Sequence, residues 1–244
     1  MTDNGHIDGS EKKYGQFHRR VLESSGGLFA VFTTIAILIG GIVEIVPMYT
    51  AGAGPETGDW VTPYTPLEVA GRDIYIREGC YLCHSQWVRP MRAEVLRYGE
   101  WSRAPEYQFD RPFLLGSRRM GPDLHRLAQK YPDAWHYEHM RDPRSTSPGS
   151  VMPPYPWLLT SKVDPENVQA SIRALKKAGV PYTDADVEGV AASLQAQGQE
   201  IVTSLAGSEL ETSADTEIVA LVAYLQRLGR EGKAYLPGEQ GGGE

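Results

Sequence analysis

The residues best suited to chemistry lie in one pentapeptide, Cys80-Tyr81-Leu82-Cys83-His84. The spacing Cys-x-x-Cys-His is that of c-type haem attachment. Two thiols so placed can add to the two vinyl groups of one porphyrin, and the His that follows on the same turn can reach the iron axially. Other uses of these side chains fit less well. A redox dithiol needs only Cys-x-x-Cys and usually a βαβ setting, which is missing here. A zinc site needs a further ligand pair, and the chain has 2 cysteines in all. That count also excludes a disulfide scaffold.

An iron held by one His needs a sixth ligand. The candidates are Met91, Met120, Met140, Met152, His125, His136 and His139, and for most of them ordinary packing or solvation is the plainer reading. Met152 stands out by its setting, Pro148-Gly149-Ser150-Val151-Met152-Pro153-Pro154. Proline after Met biases Met152 to an extended backbone, and two prolines stiffen the loop. A thioether on a rigid, non-helical loop suits an axial position. A Met/His pair raises the reduction potential, which favours electron transfer, and leaves no open coordination site. Arg89, Arg92, Arg97, Arg118 and Arg119 crowd the same region. Guanidinium groups pair bidentately with carboxylates, so Arg89 and Arg92 are candidate contacts to the propionates of a haem. The competing reading for each is a solvated surface or a structural ion pair.

These residues must be positioned by the rest of the 244-residue chain. Charged residues make up 23% and hydrophobic ones 41%, a globular balance. The net charge of −7 argues against nucleic acid as a partner. No charged residue occurs from Ser24 to Val43, and Leu28 to Val46 is mostly Leu, Ile, Val, Phe and Ala. About 20 helical residues match a hydrocarbon core of about 30 Å, so 24–46 is expected to be a transmembrane anchor in the lipid bilayer. A signal peptide ending near Ala51-Gly52-Ala53 is the alternative, but its apolar stretch would run only ~7–15 residues. Lys12, Lys13, Arg19 and Arg20 precede the span, and no Lys or Arg occurs from Pro47 to Gly71. The segment 1–23 should therefore stay cytoplasmic and the rest cross. Glu44 lies near the end of the span, either as an interfacial carboxylate or as a contact to a partner membrane subunit.

After a Gly- and Pro-rich linker at 47–65, a helix is expected from Pro66 to Gly79, with Leu67, Ala70 and Ile74 on one face. Residues 85–160 read as irregular, with helices around Asp123–Tyr131 and Pro132–Met140. Residues 161–206 read as a helical hairpin. Asp164-Pro165 starts it, Gly179 stops its first arm, and Thr183-x-x-Asp186 is a capping box for the second. A last helix is expected from Asp215 to Leu228, with Ile218, Leu221, Val222, Leu225 and Leu228 at helical spacing. The Gly-rich tail 236–244 is expected to be disordered. The fold class expected is all-α.

Several stretches resemble a known family. Met120-Gly121-Pro122-Asp123-Leu124-His125 is similar to the Gly-Pro-x-Leu loop of class I cytochromes c, whose Pro carbonyl accepts the proximal His Nδ1–H. The resemblance implies that Pro122 orients His84 and that Met120 lies on the proximal side. Leu221-Val222-Ala223-Tyr224-Leu225 resembles the family's terminal helix, and Gly71 with Tyr75 the small-plus-aromatic pair that meets it. A narrower match runs nearly the whole chain. Ile39-Gly40-Gly41-Ile42-Val43-Glu44-Ile45-Val46-Pro47, the extension His84-Ser85-Gln86-Trp87-Val88-Arg89-Pro90, Arg97-Tyr98-Gly99, Gly116-Ser117-Arg118-Arg119 and Met152-Pro153-Pro154-Tyr155-Pro156-Trp157 resemble subunit II of cbb3-type cytochrome c oxidases.

That resemblance implies a cytochrome c domain, here 66–235, on a single anchor in the bacterial inner membrane and facing the periplasm; the hairpin 161–206, read from its own caps, is a helical insertion in that domain to which the resemblance assigns no role. It implies one covalent haem c on Cys80 and Cys83, with iron between His84 and Met152. The implied partners are a haem–copper catalytic subunit, which does the oxygen chemistry, and a dihaem cytochrome c subunit, which delivers electrons. The subunit itself would be non-catalytic. The rival readings are a free-standing anchored electron shuttle and a haem-based gas sensor. The sensor would need a displaceable sixth ligand.

Overall fold

The computed structural model describes residues 24–50, 60–116 and 118–235. The expected cytoplasmic segment, residues 51–59 of the linker and the Gly-rich tail lie outside the described residues. The chain divides into two compact units, 1–56 and 57–244.

The first unit contains helix α1, Gly26–Thr50. Its run Gly26–Val46 is long and apolar enough to cross a bilayer. Leu28, Phe32, Ile37, Ile39 and Val43 are all exposed, so the helix is apolar around its circumference and uncovered, as lipid-facing helices are. Thr34 Oγ1 donates to the Ala30 carbonyl at 2.8 Å, which satisfies that hydroxyl within the helix. The helix continues through Pro47, four residues beyond the expected end of the span.

In the second unit, helix α2 (Pro66–Arg77) starts at a complete capping box. Thr65 accepts from the Glu68 N–H, and the Glu68 side chain accepts from the Thr65 N–H. Proline at the first position lacks only an N–H that has no helical partner there. A 3₁₀ turn, Cys80–Leu82, follows. Helix α3 (Arg92–Tyr98) and the 3₁₀ turn Ala104–Tyr107 lead to α4 (Asp133–Arg141) and the short α5 (Pro143–Thr146). After the 3₁₀ turn Pro156–Leu159 come α6 (Pro165–Lys177), α7 (Asp184–Glu188) and α8 (Val190–Ala206). Helices α9 (Glu217–Arg227) and α10 (Arg230–Tyr235) end the described chain. Among the described residues there is one isolated antiparallel bridge, Lys162 with Thr216, and no strand. The fold is all-α.

The core forms where α2 crosses α9. Leu67, Val69, Ile74 and Tyr75 from α2 meet Ile218, Leu221, Val222 and Leu225 from α9, all buried. Each such side chain contributes about 1.5–3 kcal/mol by leaving water. The Tyr75 and Tyr224 rings sit 5.4 Å apart at 58°, a tilted aromatic pair inside the crossing.

Residues 161–206 depart from a simple hairpin. Asp164 caps α6 by accepting from the Glu166 N–H at 3.0 Å, and Thr183 with Asp186 caps α7. The second arm then breaks at Gly189 into α7 and α8. Val168, Ile172, Val190, Leu194 and Leu205 are buried, and α6 and α8 both pack on α2. This segment therefore shares the main core.

The helix expected around Asp123–Tyr131 is absent. The His125 N–H goes to the Asp123 carboxylate at 2.9 Å, and Gln129 adopts φ 59°, so turns replace it. The terminal helix begins at Glu217 instead of Asp215, because the Asp215 carbonyl accepts from the Val163 N–H at 2.8 Å. Helices α3 and α10 were not expected from the sequence.

Candidate functional site

The pentapeptide is folded by its own backbone. The N–H groups of Cys83 and His84 both donate to the Cys80 carbonyl, at 3.1 and 2.9 Å. One tight turn after α2 thus presents two thiols and an imidazole together. They line a cavity of about 510 Å³, within the usual size of a cofactor pocket. Met120, Gly121 and Pro122 line it from the next loop, His136, His139 and Met140 from α4, Met152 from its proline loop, and Leu221 and Leu225 from α9. No Lys, Arg, Asp or Glu among the described residues lines it.

His84 is held on two sides. Its Nδ1 lies 2.8 Å from the Pro122 carbonyl oxygen. That oxygen can only accept, so Nδ1 carries the proton and Nε2 keeps its lone pair. Gly121 packs against the ring so closely that a Cβ there would lie 2.2 Å from His84 Cε1. The Gly121 N–H donates to the Cys83 carbonyl at 3.0 Å and closes the loop onto the turn. Burial lowers the His84 pKa, partly offset by the bond to Pro122. Burial pushes the Cys80 thiol up to about 12, opposite to the lowered value of a redox thiol.

The sixth-ligand candidates separate by position. Met91 is exposed and outside the cavity lining. His125 also lies outside it, stacked on Tyr107 with Nε2 at 3.0 Å from Glu106. Met120 is exposed and its sulfur lies 3.9 Å from Cys83 Sγ. Met140 is buried within α4. His139 stacks on Trp135 and places Nδ1 2.6 Å from Thr146 Oγ1. Burial lowers the His136 pKa to about 4. Its Nε2 is buried without a hydrogen-bond partner. Met152 is half-buried on a loop fastened at both ends. The Ser150 N–H donates to the Ser147 carbonyl at 3.0 Å, and the Tyr155 N–H to the Met140 carbonyl at 2.8 Å.

The arginines lie elsewhere. Arg89 is paired with Glu94, Arg92 is exposed on α3, and neither lines the cavity. Gln86, whose place in the motif carried no assigned role, is fixed by Tyr224 on α9. Its Nε2 lies 3.0 Å from Tyr224 Oη, and its carbonyl accepts from Tyr107 Oη at 2.7 Å. The Ser-Gln extension after His84 was the signal for this anchorage.

The donor set suits a haem: two thiols at vinyl spacing, a fixed imidazole with a free lone pair, thioethers, and apolar walls. An all-α domain built this way around α2 and α9 is a cytochrome c domain.

The chain belongs to the FixO family, the mono-heme subunit of cytochrome c oxidase, whose family model matches residues 19–231. No curated relative matches the chain. Membership makes it a haem-carrying electron-transport subunit of a cbb3-type oxidase, assembled with other oxidase subunits, and the apolar α1 fits its membrane anchor.

Proposed function

We propose that this subunit holds one covalent haem c through Cys80 and Cys83. His84 and Met152 would hold the iron, with Pro122 orienting His84. When bound, haem supplies reversible one-electron cycling between Fe(II) and Fe(III). The chain's own residues hold and orient that group, and Met152 closes the site to other ligands. The subunit relays electrons from a dihaem cytochrome c subunit to the haem–copper catalytic subunit, where oxygen is reduced. The Lys and Arg asymmetry about 24–46 supports an uncleaved anchor, with 1–23 cytoplasmic and the 66–235 domain periplasmic in the bacterial inner membrane.

The observation that carries this reading is the 2.8 Å bond from His84 to Pro122, in a cavity shared with both thiols and Met152. Native purification from membranes, with haem staining and subunit identification, tests it. The chain should retain haem stain after denaturation and co-purify with a catalytic and a dihaem subunit. A chain that purifies alone from native membranes is a free shuttle. A reduced haem c that binds carbon monoxide marks a sensor.

A further inference from the structure

The turn carrying His84 and the loop carrying Pro122 are separate stretches of chain, joined on one side of their 2.8 Å bond by the Gly121 N–H to Cys83 carbonyl bond and on the other by a side-chain group. Each is followed by a polar residue, Ser85 and Asp123. The Asp123 side chain is fully buried. Its Oδ2 accepts from Ser85 Oγ at 2.5 Å and from the Trp87 N–H at 2.8 Å, and its Oδ1 accepts from the His125 N–H. Arg119 closes the group. Its Nε donates to Ser85 Oγ at 2.7 Å, and Nη2 donates to the Trp87 carbonyl at 2.7 Å and lies 3.4 Å from Asp123 Oδ2. Glu94 holds the same Nη2 at 2.8 Å. The Leu124 N–H bonds to the Ser85 carbonyl at 2.9 Å.

We infer that Ser85, Asp123 and Arg119 form a clamp that sets the strength of the His84–Pro122 hydrogen bond and thereby the reduction potential of the haem. The inference rests on the reading of His84 as an iron ligand. Buried charge-assisted hydrogen bonds are short and strong, and here they fix the residues one step along the chain from both bond partners. A firm hydrogen bond from Nδ1 raises the basicity of a metal-bound imidazole. A more basic ligand stabilises Fe(III) and lowers the potential. Loosening the clamp lengthens the bond and raises it. Asp123, Ser85 and Arg119 are positioning residues, acting through Pro122 and His84.

The test is a redox titration of haem c in the native oxidase carrying Ser85→Ala or Asp123→Asn. At fixed solution potential the Fe(II)/Fe(III) ratio should rise about three- to tenfold, tenfold corresponding to 59 mV for one electron. Covalent haem and the low-spin spectrum should persist. Gln86→Ala is the control: it removes the bond to Tyr224 and should lower stability without moving the ratio. An unchanged ratio in both clamp variants, or an equal shift in Gln86→Ala, overturns the clamp. Should Asp123→Asn fail to accumulate, Ser85→Ala decides alone, since it removes one hydroxyl. A His84→Ala oxidase that keeps a six-coordinate low-spin haem c overturns the ligand reading instead.

Discussion

A Cβ placed on Gly71 would lie 2.0 Å from the Ala220 carbonyl oxygen and 2.7 Å from Tyr224 Cβ, so α2 and α9 cross with their backbones in contact. No neighbour there is a flexible side-chain end that could give way. Gly71→Ala must push the helices apart and loosen the core between them. Overpacking of this kind costs about 1–3 kcal/mol. At ~2–4 °C per kcal/mol, the thermal midpoint of the detergent-solubilised subunit should fall by several degrees. A midpoint within a degree of the parent would mean the crossing is looser than this.

Gly121 sits in the same relation to the His84 ring, with 2.2 Å from a built Cβ to Cε1. Gly121→Ala should displace the imidazole and break its bond to Pro122. The expected result is a weakened or high-spin haem c spectrum, with both thioether links intact because Cys80 and Cys83 are unchanged. Absorption spectra and a haem stain of the denatured chain check the two halves separately.

Much of the fold was legible because it is locally encoded. The α9 apolar spacing, the Asp164-Pro165 start and the Thr183–Asp186 capping box act within a turn or two of themselves. Elsewhere long-range contacts decide. Leu124, Leu127 and Ala128 have helical spacing, but the Ala128 N–H goes to the Leu228 carbonyl at 3.0 Å, and the stretch becomes turns. Helix α3 carries one buried residue, Glu94, whose partners Arg89 and Arg119 lie outside it. Proximity of Arg89 to the motif suggests a propionate contact, and the fold adds a pairing with Glu94 that no local pattern announces. The motif residues and Met152 could be picked out singly. That His136, His139 and Met140 share their cavity depends on α4 docking against α9, which no local pattern encodes.

Away from the cavity, Glu106 makes a buried ion pair with Arg126 and lies 3.0 Å from His125 Nε2. Burial pushes its carboxyl up, but hydrogen bonds and charge from His125 and Arg126 outweigh this and bring it from 4.5 to about 2. A carboxylate lowered on folding adds stability that is full above its unfolded value. That stability is lost as pH falls toward the folded value. Glu106 should therefore add stability at neutral pH that is lost as pH falls from about 4.5 to about 2. Glu106→Gln should lower neutral-pH stability, by leaving Arg126 unpaired, and flatten the acid decline over that window. Denaturant unfolding across the pH range checks both effects. A parallel decline in parent and variant would remove Glu106 from the account.

On the proposed reading, Met152 is the cavity thioether that binds the iron. Met140 belongs to a helix, so turning its sulfur toward the cavity centre is limited by the turn it occupies. Met120 sits beside Cys83, on the loop that also supports His84. Met152 stands between Ser150 and two prolines, on a loop pinned to α4 through the Tyr155–Met140 backbone bond. In the ferric protein, Met/His ligation gives a weak near-infrared sulfur-to-iron band. Met152→Ala should abolish that band, lower the potential and open the ferrous iron to carbon monoxide, with haem still covalently attached. Met91→Leu, Met120→Leu and Met140→Leu should each keep the band. The histidines on α4 make the sharper contest, because both line the cavity. His136→Phe and His139→Phe should leave the band and the carbon monoxide resistance unchanged. If Met152→Ala keeps the band and another variant loses it, that other residue is the ligand, and the prolines of the Met152 loop serve packing.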